Sequence, residues 1–369
     1  MRKKVFVSPR ILNPFVEELF ASRTGPAALG DLEVVFAGQL DEAARLDALE
    51  EVEAFFGIPT ADELRVACRL EVIALPGSGT ETIDVEQATA RGIAVVNAAG
   101  AQYKAVAEHA IGLMLALAKR IALSDRWFHA EKRHPERSRY VGSGWPHGYP
   151  VEIERKTLGV VGLGFVGRDL AEKCRLAFGM RVLAYDPYQD AVEAARQRVE
   201  LRSELVAMLS ECDFVSLHLP LGDQTRGMFG ERELRAMKPS AYLLNLSRGG
   251  IVDQQALVRA LDEGWIAGAG LDVFDPEPLP DGHPLCSRDD VVLSPHIGGW
   301  TAEALPRLAR LAIEEMVAVL RGVRSHRLIN PEVWPALLAR RTSAELPSTG
   351  KDPSSPGRRS QKRAASRRS

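Results

Sequence analysis

Cysteine is scarce in this chain: Cys68, Cys174, Cys212 and Cys286 are the only four, and no two stand in a Cys-x-x-Cys pair. That scatter argues against a disulfide framework and against a zinc ribbon, so the thiols read as reduced packing residues of a cytoplasmic protein. No cluster of His, Cys, Asp or Glu with metal-ligand spacing occurs elsewhere, and no metal is expected. Long apolar runs are missing too; none approaches the ~20 residues needed to span a bilayer. The basic start, Met-Arg-Lys-Lys, leads into only three apolar residues before Ser8, which reads as a first strand and not as a signal peptide. Charge of one sign is also lacking. The 47 Lys and Arg against 49 Asp and Glu leave a net charge of −2, with no global drive towards nucleic acid or membrane. What remains is ordinary: 369 residues, 46% hydrophobic and 26% charged, enough for two globular domains.

The chain is organised around residues 158–167, Leu-Gly-Val-Val-Gly-Leu-Gly-Phe-Val-Gly. Its apolar start reads as a buried strand, glycines follow at Gly162, Gly164 and Gly167, and 168–178 reads as a helix. Such a turn aims backbone N–H groups and the positive end of a helix dipole at one point, where a pyrophosphate fits. A second strand, 180–185, ends at Asp186, about 20 residues past the last glycine, where a carboxylate meets the ribose hydroxyls of a dinucleotide. The acidic residue favours NAD, since a 2′-phosphate would meet like charge.

Before this motif, strands at 5–8, 33–36, 54–57, 71–75 and 93–97 alternate with helices at 13–20, 41–49, 61–67 and 83–91. Single helices between strands imply a parallel sheet covered on its faces. A helix spans 102–121; on it Glu108 and His109 suit packing or capping better than catalysis. Residues 124–155 show no period and read as an irregular arm or lid, with Trp127, Phe128, His129, His134, Tyr140, Trp145, His147 and Tyr149 in it. After the motif come strands at 158–162, 182–185, 214–217, 241–245, 268–272 and 291–293, a doubly wound series. A helix at 301–320 crosses back to the first unit, which 330–334 completes. The expected fold is α/β, with two Rossmann-like or flavodoxin-like parallel-sheet domains facing a cleft. Residues 1–100 and 300–336 form the substrate domain and 101–299 the NAD domain. From about Arg340, Ser, Pro, Gly, Lys and Arg dominate, so 340–369 reads as a disordered basic tail. Its end, with Arg358, Arg359, Lys362, Arg363, Arg367 and Arg368, is the one stretch suited to an acidic partner.

Three ionisable residues occupy loops at the C-terminal ends of the second series of strands, where an open α/β sheet places its ligand. They are Arg248 in Asn-Leu-Ser-Arg-Gly-Gly, Glu277 in Asp-Pro-Glu-Pro and His296 in Ser-Pro-His-Ile-Gly-Gly. The set suits hydride exchange between nicotinamide and a 2-hydroxy or 2-oxo acid. An imidazole donates or accepts the proton of the oxygen, and a carboxylate fixes its tautomer. A guanidinium offers a planar fork to the substrate carboxylate and polarises the carbonyl.

On these residues the chain resembles the D-isomer-specific 2-hydroxyacid dehydrogenases, the family of phosphoglycerate dehydrogenase and glyoxylate/hydroxypyruvate reductase, over residues 71–334. The carrying motifs are 162–167 with Asp186, His218-Leu219-Pro220-Leu221, 245–253, 271–278 and 294–299. The resemblance implies that Arg248, Glu277 and His296 are catalytic. It implies that Phe165, Val166, Asp186, Pro220, Leu246, Ser247, Asp272, Gly298 and Gly299 line the NAD site beside the three motif glycines. The loop Gly77-Ser78-Gly79 would hold the substrate carboxylate on backbone N–H groups, with Ser78 and Gly79 as its substrate contacts. His218 takes a structural place beside the cofactor. The resemblance further implies a cleft that closes on substrate, and homodimers formed through the NAD domains.

Departures fall in the first domain: Glu81-Thr82 where members commonly have Asp-Asn, Gln102 where an Asn is common, and no proline in Asn97-Ala98-Ala99-Gly100. Pocket-facing side chains near Phe55, Phe56, Gln102 and Tyr103 are the expected determinants of substrate size. Glu277 argues against a formate dehydrogenase, which places Gln there. A phosphite dehydrogenase keeps all three ionisable residues. So does the alternative of another class, an NAD(H)-sensing corepressor with the basic tail as its partner-binding element.

Overall fold

The computed structural model describes residues 2–11, 14–21, 32–131 and 149–345. The first sheet contains β1 (Lys3–Val7), β2 (Leu32–Phe36), β3 (Ala54–Phe56), β4 (Val72–Leu75) and β5 (Ala94–Asn97). Helices α1 (Pro14–Ala21), α2 (Glu42–Leu49), α3 (Ala61–Val66) and α4 (Val85–Ala90) alternate with them. All pairs are parallel, in the order β2-β1-β3-β4-β5. β3, β4 and β5 are buried along their whole length, which is why each reads as an unbroken apolar run with no alternation. Side chains mark the helix starts: Asp41 and Asp84 cap α2 and α4, and Thr60 with Glu63 forms a capping box on α3.

Two helices follow, α5 (Tyr103–Ala118) and α6 (Ile121–Glu131), before the second sheet. That sheet contains β6 (Thr157–Val161), β7 (Arg181–Tyr185), β8 (Glu200–Leu201), β9 (Phe214–Leu217), β10 (Tyr242–Asn245), β11 (Gly268–Leu271) and β12 (Val291–Leu293). Its connecting helices are α7 (Phe165–Phe178), α8 (Ala191–Arg196), α9 (Leu205–Glu211), α10 (Glu231–Ala236) and α11 (Gln254–Asp262). The order is β12-β11-β10-β9-β6-β7-β8, again all parallel. This is the doubly wound arrangement with its switch point between β6 and β9.

The chain ends in α12 (Ala304–Leu320) and α13 (Trp334–Glu345). α5 leaves β5 but buries Ala110, Leu113, Met114 and Leu117 against the second sheet. α12 leaves the second sheet and returns to the first, where Leu308, Ile313, Met316 and Val317 meet Val5, Phe56, Val72 and Val96. Each such side chain removed from water is worth about 1.5–3 kcal/mol, so each helix is fixed to a sheet distant in sequence. Asn330 secures the return: its Oδ1 accepts from Val95 N at 2.9 Å and its Nδ2 donates to Ile93 O at 2.9 Å.

Two stretches differ from the sequence reading. The irregular arm expected from residue 124 is helical as far as Glu131; with no clean apolar stripe among its Ser, Asp, Arg and His, α6 shows no helical period in the sequence. Residues 132–148, with His134, Tyr140, Trp145 and His147, lie outside the described residues. The tail expected to be disordered from 340 begins instead as the last turns of α13. There Arg340 donates to Leu70 O at 2.8 Å, and Arg341 pairs with the buried carboxylate of Glu71. These guanidinium contacts, with Leu337 buried beneath, replace the apolar surface the composition lacks. Residues 346–369 and their basic end lie outside the described residues. Among the described residues, no helix is long and apolar enough to cross a membrane.

Candidate active site

The glycine turn is shaped by close backbone approach. Gly162 has φ +94°, and a Cβ there would stand 2.4 Å from His218 O. At Gly167 a Cβ would stand 2.2 Å from Gly162 O, so any larger residue would push α7 off the turn. α7 therefore starts at Phe165, three residues earlier than its pattern suggests, and Gly164 supplies no side-chain cap to its first N–H groups. Space around Gly164 is open, with no atom within 4 Å of a Cβ built there. Phe165 is 65% exposed beside it. Across the turn, Asp186 at the end of β7 accepts from Leu163 N and from Tyr188 N, each at 2.9 Å. Uncapped helix N–H groups, an open glycine face and a carboxylate at the neighbouring strand end fit the pyrophosphate and ribose of NAD.

At the end of β9, His218 Nε2 lies 2.8 Å from Ser216 Oγ. Burial pushes this imidazole down to about 4, so it is neutral at pH 7, while the backbone carbonyl of the same residue is the one that closes on Gly162. Pro220, exposed at the surface, follows it. The β10 loop is tied to this neighbour. Ser247 Oγ donates to Leu217 O at 2.5 Å and accepts from Leu219 N at 3.1 Å. Asn245, itself buried, accepts from Ser247 N at 3.1 Å and donates to Arg248 O at 2.9 Å. Leu246 is buried between them.

Asp272, 2% exposed at the end of β11, organises the next loop. Its carboxylate accepts from Ser294 Oγ at 2.6 Å, Ile297 N at 3.0 Å and Gly298 N at 2.8 Å. Its own carbonyl accepts from His296 N at 2.8 Å. These bonds hold His296 at φ +56°, a conformation costly for a residue with a Cβ and kept only because its surroundings fix it. The ring of His296 then stands free of the turn, with Nδ1 2.7 Å from Glu277 Oε1. Both side chains are about half-exposed, on loops after β12 and β11. His109 packs under the same turn, its Nε2 2.8 Å from Ser294 Oγ. Ser294 already donates to Asp272, so His109 donates to Ser294.

The first sheet reaches the same place through the loop after β4. Ala98 N donates to Gly77 O at 2.9 Å, Asn97 Nδ2 to Ser78 O at 3.0 Å, and Gln102 Nε2 to Ser78 Oγ at 3.0 Å. A Cβ on Gly79 would stand 2.7 Å from Arg248 Nη2, and one on Gly299 would stand 3.1 Å from Gln102 Cγ. Arg248 Nε donates to Glu81 Oε1 at 2.7 Å and Nη1 to Ser247 O at 2.7 Å.

The structure therefore brings Ser78 and Gly79 to Arg248, and Glu277 to His296. Arg248, Glu277 and His296 follow three adjacent strands, β10, β11 and β12. Phe55 and Phe56 are themselves fully buried strand residues, so side chains near them, not their own rings, can face a substrate. Glu81 is a partner of Arg248 that sequence reasoning missed as such; its only signal was its departure from the motif. Asp272 as the hub of the His296 turn was likewise not legible beyond its place in the motif.

Residues 111–298 match the family model for the D-isomer specific 2-hydroxyacid dehydrogenase, NAD binding domain. The chain is 41% identical to a glyoxylate reductase of Thermofilum pendens over 274 residues, covering 74% of this chain and 78% of that protein. It is 38% identical over 271 residues to a D-3-phosphoglycerate dehydrogenase of Methanocaldococcus jannaschii, covering 73% of this chain and 49% of that one. Among solved structures it superposes on the NAD-complexed D-isomer specific 2-hydroxyacid dehydrogenase of Lactobacillus delbrueckii with a TM-score of 0.71 and 26% identity. That match covers 89% of this chain and all of the other.

Proposed function

The chain belongs to the D-isomer specific 2-hydroxyacid dehydrogenase family and is an NAD-dependent D-2-hydroxyacid dehydrogenase, and from that premise we propose that it reduces a small 2-oxo acid such as glyoxylate or hydroxypyruvate. The observation that carries this reading is the 2.7 Å contact between His296 Nδ1 and Glu277 Oε1. A carboxylate on Nδ1 keeps that nitrogen protonated and leaves Nε2 to exchange a proton with the substrate oxygen. When bound, NADH would supply the hydride to C2, and in the reverse direction NAD+ would accept it. As the carbonyl oxygen gains charge, protonated His296 gives it the Nε2 proton, and Glu277 stabilises the imidazolium beforehand. In the oxidation direction neutral His296 takes the hydroxyl proton back. Arg248 holds the substrate carboxylate together with the backbone N–H groups of Ser78 and Gly79, and its positive charge polarises the carbonyl.

Gly162, Gly164, Phe165, Val166 and Gly167 would hold the pyrophosphate, Asp186 the adenosine ribose, and Pro220, Leu246, Ser247, Asp272, Gly298 and Gly299 the remaining walls. Asp186, with both oxygens already accepting backbone N–H bonds, favours NAD over NADP because a 2′-phosphate would approach a carboxylate. Residues 1–100 and 300–336 form the substrate-binding unit and 101–299 the NAD-binding unit, a division supported by the packing of α12 on the first sheet. Closure of the cleft between them excludes water before hydride moves. A homodimer through the NAD unit is supported by the exposed Ile121 and Phe128 on α6.

The test is NADH oxidation with a panel of 2-oxo acids compared by kcat/KM. Turnover with glyoxylate or hydroxypyruvate is expected. Binding of NADH without turnover of any 2-oxo acid would leave a nucleotide-binding regulator in place of the enzyme.

A further inference from the structure

We propose that Glu81 is a positioning residue for Arg248, holding its guanidinium from the far side of the cleft so that the free N–H groups face the 78–79 loop. The proposal rests on the reading of Arg248 as the group that binds the substrate carboxylate. A guanidinium has five N–H donors in one plane. Here Nε is engaged by Glu81 Oε1 at 2.7 Å, and Nη1 by Ser247 O at 2.7 Å. Two holds on different edges stop the plane from turning about its own axis. The donors left over belong mainly to Nη2, which lies where a Cβ on Gly79 would come within 2.7 Å of it. The same Cβ would come within 2.6 Å of Glu81 Oε2, so glycine at 79 leaves room for both members of the pair.

Removing Glu81 would leave the Ser247 carbonyl as the single hold on a long, rotatable side chain. The ordering that Glu81 supplies would then have to come from the substrate's own binding energy. The two residues are 167 positions apart and belong to different sheets, β4 leading to Glu81 and β10 to Arg248. The contact therefore also sets how the two sides of the cleft meet. The Glu81 carboxyl is suited to this. Burial alone would raise it, but the hydrogen bond from Arg248, backbone N–H groups of Glu81 and Thr80 and the charge of Arg248 together outweigh burial and hold it below the ordinary carboxylate range. It is a charged partner throughout the neutral range.

The experiment measures binding of oxamate, an unreactive analogue of a 2-oxo acid, to the protein–NADH complex by NADH fluorescence. Glyoxylate turnover is followed in parallel. Wild type is compared with Glu81→Ala and Glu81→Gln. For Glu81→Ala, oxamate binding is expected to weaken and glyoxylate kcat/KM to fall, each by about 10²-fold, mainly through KM. NADH affinity should stay within about twofold of wild type, which also shows that the variant is folded. Glu81→Gln, which keeps an acceptor oxygen without the charge, should recover part of the loss. Oxamate binding unchanged or tighter in Glu81→Ala would overturn the proposal, since Glu81 would then be idle or a competitor for Arg248. The two arms separate the claims. A wild type that binds oxamate without turning over any 2-oxo acid of the panel would remove the enzymatic reading and leave the positioning role standing on the oxamate ratio.

Discussion

The proton in the proposed reaction moves on one imidazole, but a carboxylate 2.7 Å away decides how readily it does so. Glu277→Gln keeps the shape and the acceptor oxygen while removing the charge that stabilises the imidazolium. We expect kcat for glyoxylate to fall about 10²-fold with KM little changed, the pattern of a contact made chiefly in the transition state. Steady-state kinetics at saturating NADH checks this, and a variant as fast as wild type would show the carboxylate to be a bystander. In the proposed site Asp186 meets the cofactor at the opposite end. Asp186→Ala should raise the ratio of kcat/KM for NADPH over NADH at least about tenfold, because a like charge no longer meets the 2′-phosphate. A ratio that does not move would take the ribose role away from this residue. His218 tests the floor of the site. Its folded pKa, about 4, lies below the ordinary ~6.5 of the unfolded chain. The unfolded state therefore binds the proton first, and stability is fully present above about pH 6.5 and declines as pH falls towards 4. Urea unfolding of wild type and His218→Gln across that range should show a decline of up to about 1.4 kcal/mol per pH unit that the variant lacks. Equal slopes would contradict the burial of this ring.

Elements were legible where burial is complete. β4, β5, β9 and β10 are buried throughout, so each stands out as an apolar run between helical patterns. β8 has two residues, too few to carry a period, and it escaped notice. α6 and the end of α13 were hidden for a related reason: their polar and basic side chains mask a helical stripe that tertiary contacts reveal. α13 makes a prediction at this scale. Arg341 meets a Glu71 carboxylate only 10% exposed, which Lys3 also reaches at 2.6 Å. Removing one partner of a buried pair is strongly destabilising, and Lys3 offsets part of that. We expect Arg341→Ala to cost about 2 kcal/mol, with a lower Tm and unchanged turnover per folded molecule. A Tm equal to wild type would mean that α13 is not anchored through this pair.

Across the whole molecule, two parallel sheets exchange a helix each way, and the C-terminal ends of their strands face one another. Residues remote in sequence meet there: the 77–81 loop reaches Arg248, Gln102 reaches Ser78, and His109 supports the turn that carries His296. The motif residues of this site were legible because glycine, proline and ionisable groups punctuate strand ends. Their supporting contacts were not, since nothing along the chain signals that Glu81 faces a guanidinium 167 positions away. The same limit applies to Asp272, whose three hydrogen bonds depend on a turn that forms only once β11 and β12 are paired. The central claim is that His296 carries the proton of an NADH-dependent reduction. The direct measurement is glyoxylate reduction by wild type and His296→Ala, with the NADH dissociation constant determined on both. The account predicts a kcat lower by about 10²–10⁴-fold with NADH affinity within about twofold. Turnover that survives the substitution, or NADH affinity that collapses together with the rate, would contradict it.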